Sequence, residues 1–187
     1  MRERIEKIIS VHQRLVSEFN EHGIQTVIDA ARLIGECFKS GACVFLCGNG
    51  GSAADAQHLA GEFVGRFRKN RRPLPAVALT ADTSVLTCIG NDFTFEEVFA
   101  RQVEALAGSG DLLWAFSTSG TSKNVLAAAR AARRKGARVL AFTGRAGTPL
   151  EEMADVCLAV DAPTTAAAQE IHVLAYHIIC ELIDESL

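Results

Sequence analysis

Over residues 1 to about 40 the apolar positions recur at helical spacing: Ile5, Ile8, Ile9, Leu15, Val16 and Phe19, then Ile24, Val27, Ile28, Leu33, Ile34 and Phe38. Side chains three and four positions apart share one face of a helix, so this spacing predicts two consecutive helices. The sequence between them reads EHG, and Gly23 suits a helix junction. From Ala42 the pattern changes to short apolar runs, CVFLC, AVAL, LLWAF, RVLAF and VCLAV, separated by helix-period segments or turn residues. Runs without a polar face belong to strands covered on both sides, so the chain is expected to form an α/β fold around a parallel five-stranded sheet. The last segment, from about Thr165 to Glu185, is apolar on nearly every side between Ile171 and Ile183. Such a helix is buried inside the molecule or between subunits.

Length and composition narrow the function classes. With 187 residues, 49% of them hydrophobic, residues 1–187 are expected to form a single domain, with 1–40 as an amino-terminal helical extension. The 19 basic and 22 acidic residues leave a net charge of −3, which offers no global attraction for nucleic acid or an anionic membrane. No apolar run reaches the roughly 20 residues of a membrane helix, and the start MRERIEKIIS is charged, so the expectation is a cytoplasmic protein with a small-molecule partner. The six cysteines show no CxxC spacing and read as reduced core residues. RFRKNRRP, residues 66–73, holds five basic residues but no aromatic beyond Phe67, and reads as a solvated loop.

Two of the apolar runs end in loops that open helices: CVFLC leads into GNGGS (48–52) and LLWAF into STSGTS (117–122). The carboxyl ends of strands are where open α/β sheets bind ligands, and helix amino termini offer free N–H groups and partial positive charge to an anion. In STSGTS the hydroxyls of Ser117, Thr118, Ser119, Thr121 and Ser122 add donors, more than a helix cap needs, while Gly120 allows close backbone approach. A phosphate fits this loop. GNGGSA also satisfies G-x-G-x-x-A, which leaves a dinucleotide-binding oxidoreductase as an alternative with Asp82 as its ribose acid. Asp82 lies 29 residues past Ala53, against the roughly 20 that motif requires.

On the helix read over residues 53–67, Asp55, His58 and Glu62 form a polar stripe beside an apolar one of Ala56, Leu59, Phe63 and Phe67. A carboxylate and an imidazole four residues apart can share a metal or a proton, or can simply be solvated. Near the carboxyl end, Gln169, Glu170, His172 and His177 punctuate the apolar helix. A lone histidine there is more often a hydrogen-bonded core residue.

Taken together, GNGGSAADAQHLAGEFVGRF, IGNDFTFEEVFARQ, STSGTSKNV and QEIHVLAYH resemble the sugar isomerase (SIS) domain family over almost the whole chain. The resemblance implies a three-layer αβα sandwich, amino-terminal helices that join a homotetramer, and active sites at subunit interfaces. It implies ketose–aldose isomerisation of sedoheptulose 7-phosphate, with Ser117, Thr118, Ser119 and Ser122 on the phosphate and Asn49, Gly50, Ser52, Asp92 and Gln169 near the sugar. The family's base maps to Glu62 and its acid to His177. Zinc, bound in some members, would be held by His58, Glu62, Gln169 and His177, although eight helical residues from Gln169 to His177 rise about 12 Å. TTAAAQE departs from the family, whose members usually carry Arg or Asp just before the glutamine. Noncatalytic regulators of replication initiation in the same family lack the base and the second histidine, so Glu62 and His177 favour an enzyme.

Overall fold

The computed structural model describes residues 1–186. Two helices come first, α1 (Arg2–His22) and α2 (Ile24–Lys39). They turn at Gly23, where a side chain would press on the Phe19 ring, its Cβ 2.8 Å from Phe19 Cε2. Five strands follow: β1 (Val44–Cys47), β2 (Ala76–Ala78), β3 (Leu112–Ser117), β4 (Arg138–Thr143) and β5 (Val156–Ala159). All neighbouring strands run parallel, in the order β2-β1-β3-β4-β5. Between them lie α3 (Gly51–Val64), α4 (Thr83–Asp92), a 3₁₀ turn at Phe95–Glu97, α5 (Ala100–Leu106), α6 (Lys123–Arg134) and α7 (Pro149–Glu152), and α8 (Thr165–Ser186) follows β5.

The pleat of the apolar strands separates two cores. Val44, Leu46, Leu112, Trp114, Phe116, Leu140 and Phe142 face α2, α3 and α8, while Phe45, Cys47, Leu113, Ala115, Val139 and Ala141 face α4, α5, α6 and α7. This is the three-layer αβα sandwich expected from the sequence. After β1 the chain goes to one face through α3, and after the adjacent β3 it goes to the other through α6. A crevice opens where neighbouring strands diverge in this way, and it is the usual ligand site of such sheets.

α8 buries Ile171, Ala175, Tyr176, Ile179 and Ile183 within its own chain, one of the two outcomes its apolar surface allowed, while α1 leaves Ile5, Ile8 and Ile9 exposed. The first ten residues are all exposed. The basic segment is not wholly solvated: the Arg71 side chain is 9% exposed and pairs with Asp184 at 2.7 Å. Its guanidinium also donates to the carbonyls of Glu62 and Phe63 and so caps the carboxyl end of α3. Burial alone would raise the Asp184 carboxyl, but the N–H groups of Lys69 and Arg68 and the Arg71 guanidinium hold it below its ordinary value. Among the cysteines, all free, Cys88 is exposed rather than part of the core. Among the described residues, no helix is long and apolar enough to cross a membrane.

Candidate active site

The crevice between the ends of β1 and β3 is bridged by a reciprocal amide pair. Asn49 Nδ2 donates to Asn124 Oδ1 at 2.9 Å, and Asn124 Nδ2 donates to Asn49 Oδ1 at 2.8 Å. Asn49 belongs to the loop after β1 and Asn124 to the first turn of α6, so two elements on opposite faces of the sheet are locked together where they part. Asn124 is buried at 4% exposure, and a buried amide needs such partners.

The hydroxyl loop is organised around Ser117 and Ser119. Ser117 Oγ donates to Ser122 Oγ at 3.0 Å and lies 3.3 Å from Ser119 Oγ, while Ser119 Oγ accepts from the Thr121 N–H at 3.2 Å and its hydroxyl at 3.1 Å. Although Ser122 stands at the cap position of α6, its side chain makes no cap bond. The N–H groups of Lys123 and Asn124 find no acceptor among the described residues. Free N–H groups, the helix dipole and a ring of hydroxyls make an anion site without a lysine; Lys123 itself turns to Glu96, 2.7 Å away. By contrast most of the first turn of α3 is satisfied locally, Ser52 N–H by Asn49 O and Ala53 N–H by Gly50 O. The hydroxyl loop is therefore the stronger phosphate site.

Polar residues on α3 meet α8 in matching order, so the two helices run alongside in the same direction. Gln169 Nε2 donates to Ser52 Oγ at 3.3 Å near the amino ends, and farther along the His58 and His177 rings lie 5.1 Å apart. His58 Nε2 lies 3.0 Å from Glu62 Oε1, and His58 Nδ1 3.1 Å from the Tyr176 hydroxyl. Phe67 stacks on His177 with centroids 5.6 Å apart and planes at 18°. His58, Glu62 and His177 each offer one ligand atom, and these atoms all lie within 4.8 Å of one another. Two imidazoles and a carboxylate so placed suit a zinc-like ion. The amide of Gln169 reaches Ser52 rather than this cluster.

Burial and then the neighbouring His58 lower the His177 imidazole below its ordinary value, against an opposing pull from Glu62. His177 therefore stays neutral, as a proton acceptor or metal ligand must, to lower pH than a free histidine. Burial raises the Asp55 carboxyl, opposed by the Tyr176 hydroxyl and His58. His172 is a core residue: fully buried, it bonds the Thr143 carbonyl at 3.1 Å, and burial pushes it down to about 4.

The remaining expected residues are distributed unevenly. Gly50 begins α3 with φ +56°, and Thr118 holds the loop through its carbonyl, which accepts from Gly144 N–H at 3.0 Å. Asp92 lies exposed at the end of α4, where its carboxylate accepts from Cys88 and Asn91 of its own helix. Asp82 caps α4 by accepting from Val85 N–H at 3.0 Å, an ordinary structural duty that removes it from the dinucleotide reading. Asn124 and Tyr176 were not singled out from the sequence; the only signal for Asn124 was its position two residues beyond STSGTS. The cavity of about 500 Å³ between α1, β5 and α8 touches none of these residues. The catalytic candidates instead line an open surface, with the His58 side chain 45% and Glu62 21% exposed.

A family model described as SIS domain matches residues 9–144. The chain is 48% identical over 185 residues to the phosphoheptose isomerase of Roseiflexus sp. (strain RS-1), covering 99% of this chain and 92% of that protein. It is 46% identical to the phosphoheptose isomerase of Aquifex aeolicus, covering 99% and 97%. Among solved structures, phosphoheptose isomerase GmhA from Neisseria gonorrhoeae superposes with TM-score 0.93 at 43% identity, covering 98% of both chains. A phosphoheptose isomerase from Francisella tularensis gives 0.94 at 34% identity, covering 98% of this chain and 97% of that one.

Proposed function

The chain belongs to the SIS domain family, and on that premise we propose that it is an aldose–ketose isomerase converting sedoheptulose 7-phosphate to D-glycero-D-manno-heptose 7-phosphate for heptose biosynthesis. One observation carries the reading: an anion loop follows β3, and the helix that follows the adjacent strand β1 carries a carboxylate–imidazole cluster along its length. Ser52 lies beside the loops, and the six residues from it to His58 rise about 9 Å along α3. An extended seven-carbon sugar phosphate bridges such a span, and a triose phosphate does not.

In this reading Ser117, Thr118, Ser119 and Ser122 hold the phosphate with the N–H groups of α6, while Asn49, Gly50, Ser52, Gln169 and Asp92 line the sugar chain. Phosphate binding far from the reacting carbons supplies orientation. Glu62 takes the proton from the carbon next to the carbonyl, leaving a cis-enediol, and returns it to the neighbouring carbon. His177, kept neutral by burial and by His58, moves protons between the two oxygens. His58, Glu62 and His177 are the ligands for zinc, with Gln169 reaching them only by leaving Ser52. When bound, zinc polarises the carbonyl and hydroxyl oxygens and stabilises negative charge on them.

Residues 1–187 act as one domain in this account, with the first two helices as its assembly arm. The apolar stripe of Ile5, Ile8 and Ile9 and the open cluster support a homotetramer with active sites completed at subunit contacts, working in the cytoplasm. The test is turnover of sedoheptulose 7-phosphate by the purified protein without nucleotide, with and without a chelator. Product formation is expected. Nicotinamide-dependent oxidation would favour the oxidoreductase, and no turnover in either condition the noncatalytic regulator.

A further inference from the structure

Behind His58 lies a second pair of polar groups to which the isomerase reaction assigns no duty. Tyr176 is 1% exposed, its hydroxyl lies 3.1 Å from His58 Nδ1, and it donates to Asp55 Oδ1 at 3.4 Å. The other Asp55 oxygen, Oδ2, is buried without a partner among the described residues. A half-satisfied buried carboxyl group costs stability, so its presence calls for another reason. We propose that Tyr176 and Asp55 are positioning residues that fix the proton and orientation of His58, so that its Nε2 faces Glu62 and His177 as a lone pair ready for a divalent cation.

The argument is one of donors and acceptors. A tyrosine hydroxyl has a single hydrogen, and an ionised Asp55 Oδ1 accepts it. Turned to Nδ1, the hydroxyl would leave His58 Nε2–H to donate to Glu62; with its hydrogen held by Asp55, its oxygen accepts from His58, which places the ring hydrogen on Nδ1. Nε2 is left as an acceptor, yet it lies 3.0 Å from Glu62 Oε1, another acceptor. Two acceptors at that distance need a proton or a cation between them, and the nearby His177 nitrogen supplies a third ligand atom. Histidine ligands whose far N–H is held by an oxygen keep their tautomer, and losing that partner weakens metal binding about 10–100-fold. At 3.4 Å the bond from Tyr176 to Asp55 is the longest link in the chain, beyond the usual hydroxyl–oxygen range.

This inference rests on the reading of His58 as a metal ligand, and the test separates the two. The full-length protein is stripped with a chelator and titrated with zinc, as wild type, Tyr176→Phe, Asp55→Ala and the double variant. Wild type should bind one zinc per chain, and each single variant about 10-fold more weakly or worse. The double variant should bind no more weakly than Tyr176→Phe, because Asp55 acts only through the hydroxyl. In the zinc-free protein, ¹⁵N shifts of the His58 ring should show hydrogen on Nδ1. In Asp55→Ala the hydrogen should move toward Nε2, as the released hydroxyl turns to donate. A wild type that binds no zinc would overturn the metal reading itself. Zinc bound by wild type and Tyr176→Phe alike, or additive losses in the double variant, would overturn the relay while leaving the metal site standing. Tyr176→Phe keeps the buried ring, and should any variant fail to fold, hydrogen found on His58 Nε2 of the wild type overturns the proposal alone.

Discussion

Gly120→Ala tests whether the hydroxyl loop is held by its fit against the neighbouring turn. Gly120 has φ +65° and is buried, and a Cβ built there would lie 2.5 Å from Thr148 Oγ1 and closer still to its two carbons. Thr148 cannot retreat cheaply: it is 1% exposed and locked as the cap of α7, accepting from Glu151 N–H. The loop must therefore move, at a cost of about 1–2 kcal/mol for the left-handed backbone and roughly 1–3 kcal/mol for overpacking. Gly147→Ala is the control, because Gly147 has φ +68° with nothing within 4 Å of the new Cβ, so it bears the backbone cost alone. Thermal melts should place Gly120→Ala below Gly147→Ala. The Michaelis constant for sedoheptulose 7-phosphate should rise about 10-fold or more in Gly120→Ala only, since misplacing a binding group by about 1 Å can cost up to about 10²-fold. Equal melting points and equal Michaelis constants for the two variants would refute the reasoning.

His172 should make the protein acid-sensitive. Folded it titrates near 4 against an ordinary 6.5, so the unfolded chain takes up the proton first and stability falls as pH drops from 6.5 toward 4, by about 3 kcal/mol in all. In His172→Gln, denaturant unfolding across that range should show a flatter pH dependence, and an unchanged slope would contradict the assignment. Ile5→Glu together with Ile8→Glu should dissociate the proposed tetramer, since burying an isoleucine is worth about 1.5–3 kcal/mol. Sedimentation that leaves the variant tetrameric, or finds the unaltered protein monomeric, would remove α1 from the interface.

The strands were legible because each is apolar along most of its length, the mark of burial on both faces. Their order was not, since β1 pairs with β3 across 68 residues of separation at Val44 and Leu112, and nothing local announces such pairing. His58 and Glu62 were legible as neighbours because helical spacing puts them one turn apart. That His177 joins them, and that Tyr176 reaches His58 from 118 positions away, depends on how α8 lies along α3. The basic segment was misread for the same reason. Its burial depends on Asp184, 113 residues from Arg71, and composition alone sees only charge. The all-round apolar character of α8 signalled burial correctly, while the choice between its own subunit and a neighbour needed the packing.

The central claim is that Glu62 moves the carbon-bound proton, and Glu62→Gln tests it most directly. The Glu62 side chain is part-exposed, and glutamine has nearly the same volume, so the change opens no core cavity. Glutamine keeps the length of the side chain but cannot accept the proton. Isomerisation and exchange of the substrate's carbon-bound hydrogen with deuterated water should be followed together in one sample. Both should fall in parallel by about 10²-fold or more, the worth of a positioned general base, with the assembly unchanged. Near-native isomerisation and exchange in folded Glu62→Gln would contradict the account.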